Sequence, residues 1–177
     1  MCRIAQTMGI PVFYSDTIAR ELMEKDMRVK KALSSKFGEQ LYDHGRLKRE
    51  WLAELIFNNP ESRAFVEGIV HQAVHTAFNE WKSIQSSEII IRESAPLLSM
   101  NLSKQNDSII LISCPPDIRI SRTLQREGMN LTKFQERSRL QHEEHAIRPF
   151  AQYEIINDGR ALIPQVVKAF TPPSQSH

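Results

Sequence analysis

No apolar run in the chain approaches the roughly 20 residues needed to span a membrane, so a transmembrane helix is excluded. No signal peptide is expected in the first 20 residues, which carry Arg3, Asp16 and Arg20 and no apolar core segment. Cysteine is scarce. Cys2 and Cys114 stand far apart, which leaves neither a disulfide framework nor a metal-spaced cluster and points to a reducing cytoplasm. Internal repeats and low-complexity tracts are absent. An excess of one charge is lacking as well. The 23 basic and 21 acidic residues leave +2, which by itself selects no polyanionic partner. What remains is an ordinary globular composition over 177 residues. That length suits one domain with a small insertion, and its core needs no staples.

Four short β-rich runs stand out: Ile10–Phe13, Ile89–Ile91, Ile109–Ser113 and Tyr153–Ile156. The middle two are apolar without alternation, the pattern of parallel strands covered on both faces. Helical stretches separate the runs, so the expected fold class is α/β with a parallel sheet. Before the first run, MCRIAQTMG reads as the last turns of a helix capped by Gly9. No strand signal occurs between the first two runs. Thr17–Glu24 and Arg28–Phe37 read as helices, the second stopped by Gly38. Asp43-His44-Gly45 is a turn, after which Leu47, Trp51, Leu52, Leu55 and Ile56 resume helical spacing. Asn59-Pro60 is a cap followed by a first-turn proline. It opens an apolar stripe of Phe65, Ile69, Val70, Ala73, Val74, Ala77 and Trp81 that runs to about Ile84. A block of helices inserted between two strands either covers a substrate or is a structural subdomain. Downstream, Pro115-Pro116 opens a helix to about Glu127, and Gly128 breaks it. A very polar helix runs from Leu131 to about Glu144, and Leu162–Phe170 is a last amphipathic helix. Thr171–His177 has the composition of a disordered tail.

Asp16 falls at the carboxyl end of the first strand, where open parallel sheets bind ligands. There it could accept a proton from a hydroxyl, hold a metal-bound water, or merely cap the following helix. Arg20, four residues on, is either its ion-pair partner or an anion clamp. The stretch from Arg119 to Arg148 also holds Arg122, Arg126, Lys133, Arg137 and Arg139. Arginine's planar fork binds phosphate bidentately, so a helix pair hinged at Gly128 suits a lid over phosphates. Glu127, Glu136, Glu143 and Glu144, interspersed, suit a solvated surface equally well. His71 interrupts the apolar stripe, a place where histidine commonly packs against a neighbour. The pattern of His142 to His145 lacks the HExxH zinc arrangement, so no metal site is expected. Phe134 alone stands amid the arginines, which speaks against nucleic-acid binding. Trp51, Trp81 and the methionines read as core.

Six segments then fall in a telling order: GIPVFYSDTIAREL, LKREWLAELIFNNPESR, IVHQAV, RTLQREGM, ERSRLQ and AQYEIINDG. Their order and spacing resemble those of dephospho-CoA kinases, P-loop kinases of the nucleoside-monophosphate kinase type. The family counterparts are GIPVIDADxIAREL, LDRxxLxxxIFxDPExR, IVHPxI, RLxxRDG, ARIxxQ and ADYVIDNNG. The resemblance extends from residue 2 to about residue 170. Departures are Tyr14 and Ile156 for Asp, Gln72 for Pro, and SAPLLSMNL without the acidic residue that often follows the paired leucines.

The resemblance implies a P-loop-kinase sheet of order 2-3-1-4-5. Residues 1–18 and 86–170 would form the core, 19–85 an inserted helical CoA-binding region, about 117–148 an Arg-rich lid, and 171–177 the tail. It implies transfer of the γ-phosphoryl of ATP, with Mg²⁺, to the ribose 3′-hydroxyl of dephospho-CoA, the last step of coenzyme A biosynthesis. Asp16 would be the base or orienter for that hydroxyl, and Arg126 and Arg137 lid residues that neutralise phosphate. Arg20 and His71 would face the acceptor, and Asn157 and Gly159 the adenine. No GxxxxGK(S/T) occurs in the 177 residues, and the family's GGIGSGKST segment would precede Met1. Either the start is set late or trimmed, or the chain is a truncated remnant that at most binds CoA-like ligands. The strands at 89–91 and 109–113 would then flank an empty slot, and the chain alone is expected to be catalytically impaired and prone to aggregate. The oligomeric state is not legible.

Overall fold

The computed structural model describes residues 1–57, 59–94, 106–125 and 147–171. Its early elements are α1 (Cys2–Thr7), β1 (Val12–Tyr14), α2 (Ser15–Lys25), α3 (Met27–Phe37), β2 (Tyr42–Asp43), β3 (Arg46–Leu47), α4 (Arg49–Phe57) and α5 (Pro60–Ser83). They are followed by β4 (Ile91–Glu93), β5 (Ile110–Ser113), α6 (Pro116–Leu124), β6 (Tyr153–Ile156) and α7 (Ile163–Phe170). This is an α/β fold with parallel ladders. The chain forms two compact units, residues 10–94 and residues 1–9 with 95–177.

In the first unit, β1 and β4 pair in parallel, Val12 with Ile91, Phe13 with Arg92 and Tyr14 with Glu93. Strand β4 begins at Ile91, the last residue of the expected run and two residues later than expected, and Ile89 is exposed. Helix α5 is long because its start is well sealed. Asn59 accepts the Ser62 N–H at 2.9 Å, and Pro60 occupies the first turn. It buries Ser62, Val66, Val70, Val74 and Phe78 at four-residue spacing. The deepest line is thus turned slightly from the expected stripe, which left out Val66 and Phe78. Helices α2, α3 and α4 pack on α5. Phe13, Val29, Leu33, Leu41, Leu47 and Leu52 complete the core. Each such side chain, fully buried, contributes roughly 1.5–3 kcal/mol. Trp51 and Trp81 pack against this core, whereas Met8 and Met27 are exposed, contrary to the reading of all methionines as core.

Helix α3 is bounded at both ends. The Asp26 carboxylate accepts the N–H groups of Arg28 at 2.8 Å and Val29 at 3.0 Å, and Gly38 ends the helix at φ +94°. Strands β2 and β3 form a tight antiparallel hairpin through His44 and Gly45, with φ of +47° and +81°. Only the turn was legible, since two-residue strands carry no alternation. The Tyr42 hydroxyl donates to the Met23 carbonyl at 2.7 Å. Burial, then the Glu24 charge, pushes that phenol up to about 12.

In the second unit, β5 and β6 pair in parallel from Ile110 with Tyr153 to Ser113 with Ile156. Leu111, Ile155, Val166 and Ala5 are buried, and α1 packs on α7. Helix α1 gives way at Gly9, φ +81°, whose N–H meets the Gln6 carbonyl at 3.0 Å. The Gln165 amide closes the outer edge of β6. Its Oε1 accepts the Ile156 N–H at 2.9 Å, and its Nε2 donates to the Ile156 carbonyl at 3.2 Å. Ile112 is 39% and Ile156 36% exposed, so this ladder is not covered on both faces as the unbroken apolar run suggested. The expected Gly128 hinge and the helix from Leu131 to Glu144 lie outside the described residues.

Candidate active site

Strand β1 ends at Tyr14, and α2 starts at the next residue. Tyr14 is the N-cap, with no side-chain cap bond, and Asp16 sits inside the first turn. The reading of Asp16 as a cap therefore fails. Its carboxylate complements the helix dipole there, is exposed, and remains open to a ligand.

Glu93 closes β4 opposite Tyr14, so it shares the carboxyl end of the ladder with Asp16. Burial, and then the Asp16 charge, holds the Glu93 carboxyl above the usual carboxylate range. Paired carboxylates of this kind can share a proton or face a cation. Among the described residues, the neighbouring hydroxyls of Ser15 and Ser94 are buried without a hydrogen-bond partner. Native folds leave few such groups outside functional sites. Sequence reasoning missed Glu93. The available signal was Arg92-Glu93 following three isoleucines without a break.

Arg20 is exposed one turn after Asp16. The ion pairs of α2 are Lys25–Glu21 at 3.5 Å and Arg49–Glu24 at 2.8 Å. Among the described residues none joins Arg20 to Asp16. His71 is half-buried on α5. Burial pushes its imidazole below the ordinary value, Glu67 opposes that shift, and Arg92 adds to it. The structure thus brings Asp16 to Glu93 and His71 to Arg92. Arg126 and Arg137 lie outside the described residues.

In the other unit, Asn157 and Gly159 follow β6 in a fixed turn. The Asn157 N–H donates to the Ser113 carbonyl at 2.8 Å. Arg122 Nη1 donates to both the backbone and side-chain oxygens of Asn157, each at 2.9 Å. Gly159 has φ +103°, where a side chain would be strained. Arg160 bonds Asp158 at 2.6 Å and holds that carboxyl below its usual range. Arg122 as the clamp of this turn was not legible, because its partner lies far along the chain. Among the described residues no three His, Cys, Asp or Glu side chains gather into a metal site, and no helix is long and apolar enough to cross a membrane.

The family model described as CoaE, dephospho-CoA kinase, matches residues 1–162. The dephospho-CoA kinase of Porphyromonas gingivalis is 33% identical over 168 residues, covering 94% of this chain and 83% of that protein. That of Bacteroides fragilis is 29% identical over 167 residues, covering 93% and 82%. Among solved structures, TT1252 from Thermus thermophilus superposes with a TM-score of 0.82 at 25% identity, covering 95% of this chain and 86% of that one. The dephospho-CoA kinase from Campylobacter jejuni gives 0.64 at 21% identity, covering 95% and 87%, a likeness of fold. The chain belongs to the dephospho-CoA kinase family.

Proposed function

We propose that the chain transfers the γ-phosphoryl group of ATP to the ribose 3′-hydroxyl of dephospho-CoA, releasing coenzyme A and ADP. The observation that carries this reading is the pairing of Asp16 with Glu93 at the carboxyl end of a parallel ladder, in a chain of this family. Asp16 accepts the hydroxyl proton as the new oxygen–phosphorus bond forms and the γ-phosphoryl leaves ADP. Glu93 stands beside it at the end of β4, and burial and the Asp16 charge hold the Glu93 carboxyl above the usual carboxylate range. Arg20 and His71 orient the acceptor, with residues 19–85 as its binding region. Arg126 and Arg137, in a lid over about 117–148, neutralise phosphate charge during transfer. Asn157 and Gly159, steadied by Arg122, approach the adenine.

Mg²⁺ arrives on the ATP phosphates. Such an ion is commonly held by one or two carboxylates together with phosphate oxygens, and Glu93, at the end of β4, is the carboxylate that would face it while Asp16 serves the hydroxyl. Bound there, it would neutralise phosphate charge. The cytoplasm, where ATP is plentiful, suits the reaction.

The test is coenzyme A formation from ATP and dephospho-CoA. It is run on the 177 residues as they stand and on a chain with a GGIGSGKST loop and its strand fused ahead of Met1. Asp16→Asn should lower turnover about 100- to 10,000-fold while the unfolding midpoint holds. Near-normal turnover in that variant would remove Asp16 from the chemistry. No coenzyme A from either parent chain would overturn the kinase reading.

A further inference from the structure

Arg92 is held in an unusual way. Its Nε, Nη1 and Nη2 atoms are all shut off from solvent, and among the described residues none has a hydrogen-bond partner. A guanidinium is charged at any ordinary pH and offers five N–H donors in a planar fork. Burying that charge unpaired is among the costliest arrangements in a folded chain. The compensation seen is the Phe78 ring, 4.6 Å from the guanidinium carbon to the ring centroid. A ring face attracts the cation but accepts none of its donors in the manner of an oxygen.

The surroundings select the missing partner. Arg92 stands opposite Phe13 in the β1–β4 ladder, on the sheet face where Phe13 meets Phe78 and Trp81 of α5. Successive strand residues point to opposite faces, so Glu93 is directed away from Arg92 and is not its counter-ion. On α5, His71, His75 and Phe78 follow one another at helical spacing along one stripe. His71 lies close enough to feel the Arg92 charge, and Glu67 answers His71 without forming an ion pair with Arg92. His75 Nδ1 and the Ser94 hydroxyl are likewise buried without partners. Cationic and neutral donors, short of acceptors, describe a receptor for an oxyanion. Phosphate matches the guanidinium fork in geometry and charge.

We propose that Arg92 is the anion anchor of the acceptor site, receiving phosphate oxygens of the dephospho-CoA diphosphate, with His71 beside it as a second polar contact. The inference rests on the acceptor named above and adds a residue that the family motifs do not contain. It places the diphosphate against the α5-facing side of β4, the face opposite to the one Glu93 takes. The fold alone satisfies this charge poorly, and the acceptor's phosphate oxygens can satisfy it on binding.

The experiment titrates dephospho-CoA, ATP and inorganic pyrophosphate separately into the full chain and into Arg92→Met and Arg92→Lys, by calorimetry, with unfolding midpoints taken without ligand. Arg92→Met should weaken dephospho-CoA and pyrophosphate roughly 10- to 100-fold and leave ATP within about twofold. The lysine variant should fall between, since it keeps the charge and loses the fork. The ligand-free midpoint of Arg92→Met should hold or rise, because an unpaired buried charge is gone. Unchanged dephospho-CoA affinity overturns the proposal, as does a loss confined to ATP, which would assign the anchor to the donor. Failure of both variants to fold makes Arg92 a structural support and also overturns it. Pyrophosphate held through Arg92 by a chain that ignores dephospho-CoA would uphold the anchor and remove dephospho-CoA as the acceptor.

Discussion

Phe13 is the side chain through which β1 meets α5, and shortening it tests how the strand that leads into Asp16 is held. It is 4% exposed, with ring centroids 5.2 Å from Phe78 and 5.4 Å from Trp81. Phe→Ala in a packed core costs about 3–5 kcal/mol. Each ring pair accounts for about 0.5–1.5 kcal/mol of that beyond area burial. Phe13→Leu keeps most of the buried area and loses both pairs, so it should cost about 1–3 kcal/mol. Phe13→Ala should cost the full amount, a large share of the roughly 5–15 kcal/mol that stabilises a typical domain. Urea unfolding followed by tryptophan fluorescence reads this directly, since Trp81 touches the altered ring. The midpoint should fall while the denaturant slope holds. An alanine variant losing less than about 1.5 kcal/mol would mean that β1 is held by its ladder hydrogen bonds and not by this aromatic contact, and the reasoning would fail.

Two further outcomes follow from α3 and α5. Asp26→Ala removes the acceptor for two helix-start N–H groups and should cost about 1 kcal/mol, while Asp26→Asn should be nearly neutral. Equal urea midpoints for Asp26→Ala and the parent would show that water replaces the cap. His71 has its folded pKa below the ordinary 6.5, chiefly through burial, so the fold favours the neutral ring. That contribution is intact above pH 6.5 and is lost as pH falls through the lowered folded value. His71→Gln should therefore flatten the decline of stability with acidity in that window. Parallel stability-versus-pH curves for the two proteins would refute it.

What could be read from the sequence was what is local. The Asn59-Pro60 start of α5 and the Gly38 and Gly9 ends are settled within a few residues, and they stand where the residue types placed them. Tyr153–Ile156 appears with the expected limits. Some misses depend on partners distant in the chain, others on local geometry that residue type does not reveal. Strand β4 slid toward Arg92 and Glu93 because its extent is set by pairing with Val12 to Tyr14, not by its run of isoleucines. The β2–β3 hairpin has too few residues per strand to show a period. Asp16 has the composition of a cap, yet Tyr14 takes the cap position because the strand passes directly into the helix. Arg92 and Glu93 look like ordinary surface charges until the ladder shows that one faces α5 and the other the strand ends.

The Gln165 amide has a consequence beyond the turn it closes. By giving the outward N–H and carbonyl of Ile156 a partner apiece, it acts as a one-residue false strand and stoppers that flank of the β5–β6 ribbon. A stray extended peptide seeking backbone contacts finds them already taken there. The stopper sits at the carboxyl end of β6, where the ribbon gives way to the Asn157–Gly159 turn, so that turn is shielded from an invading strand.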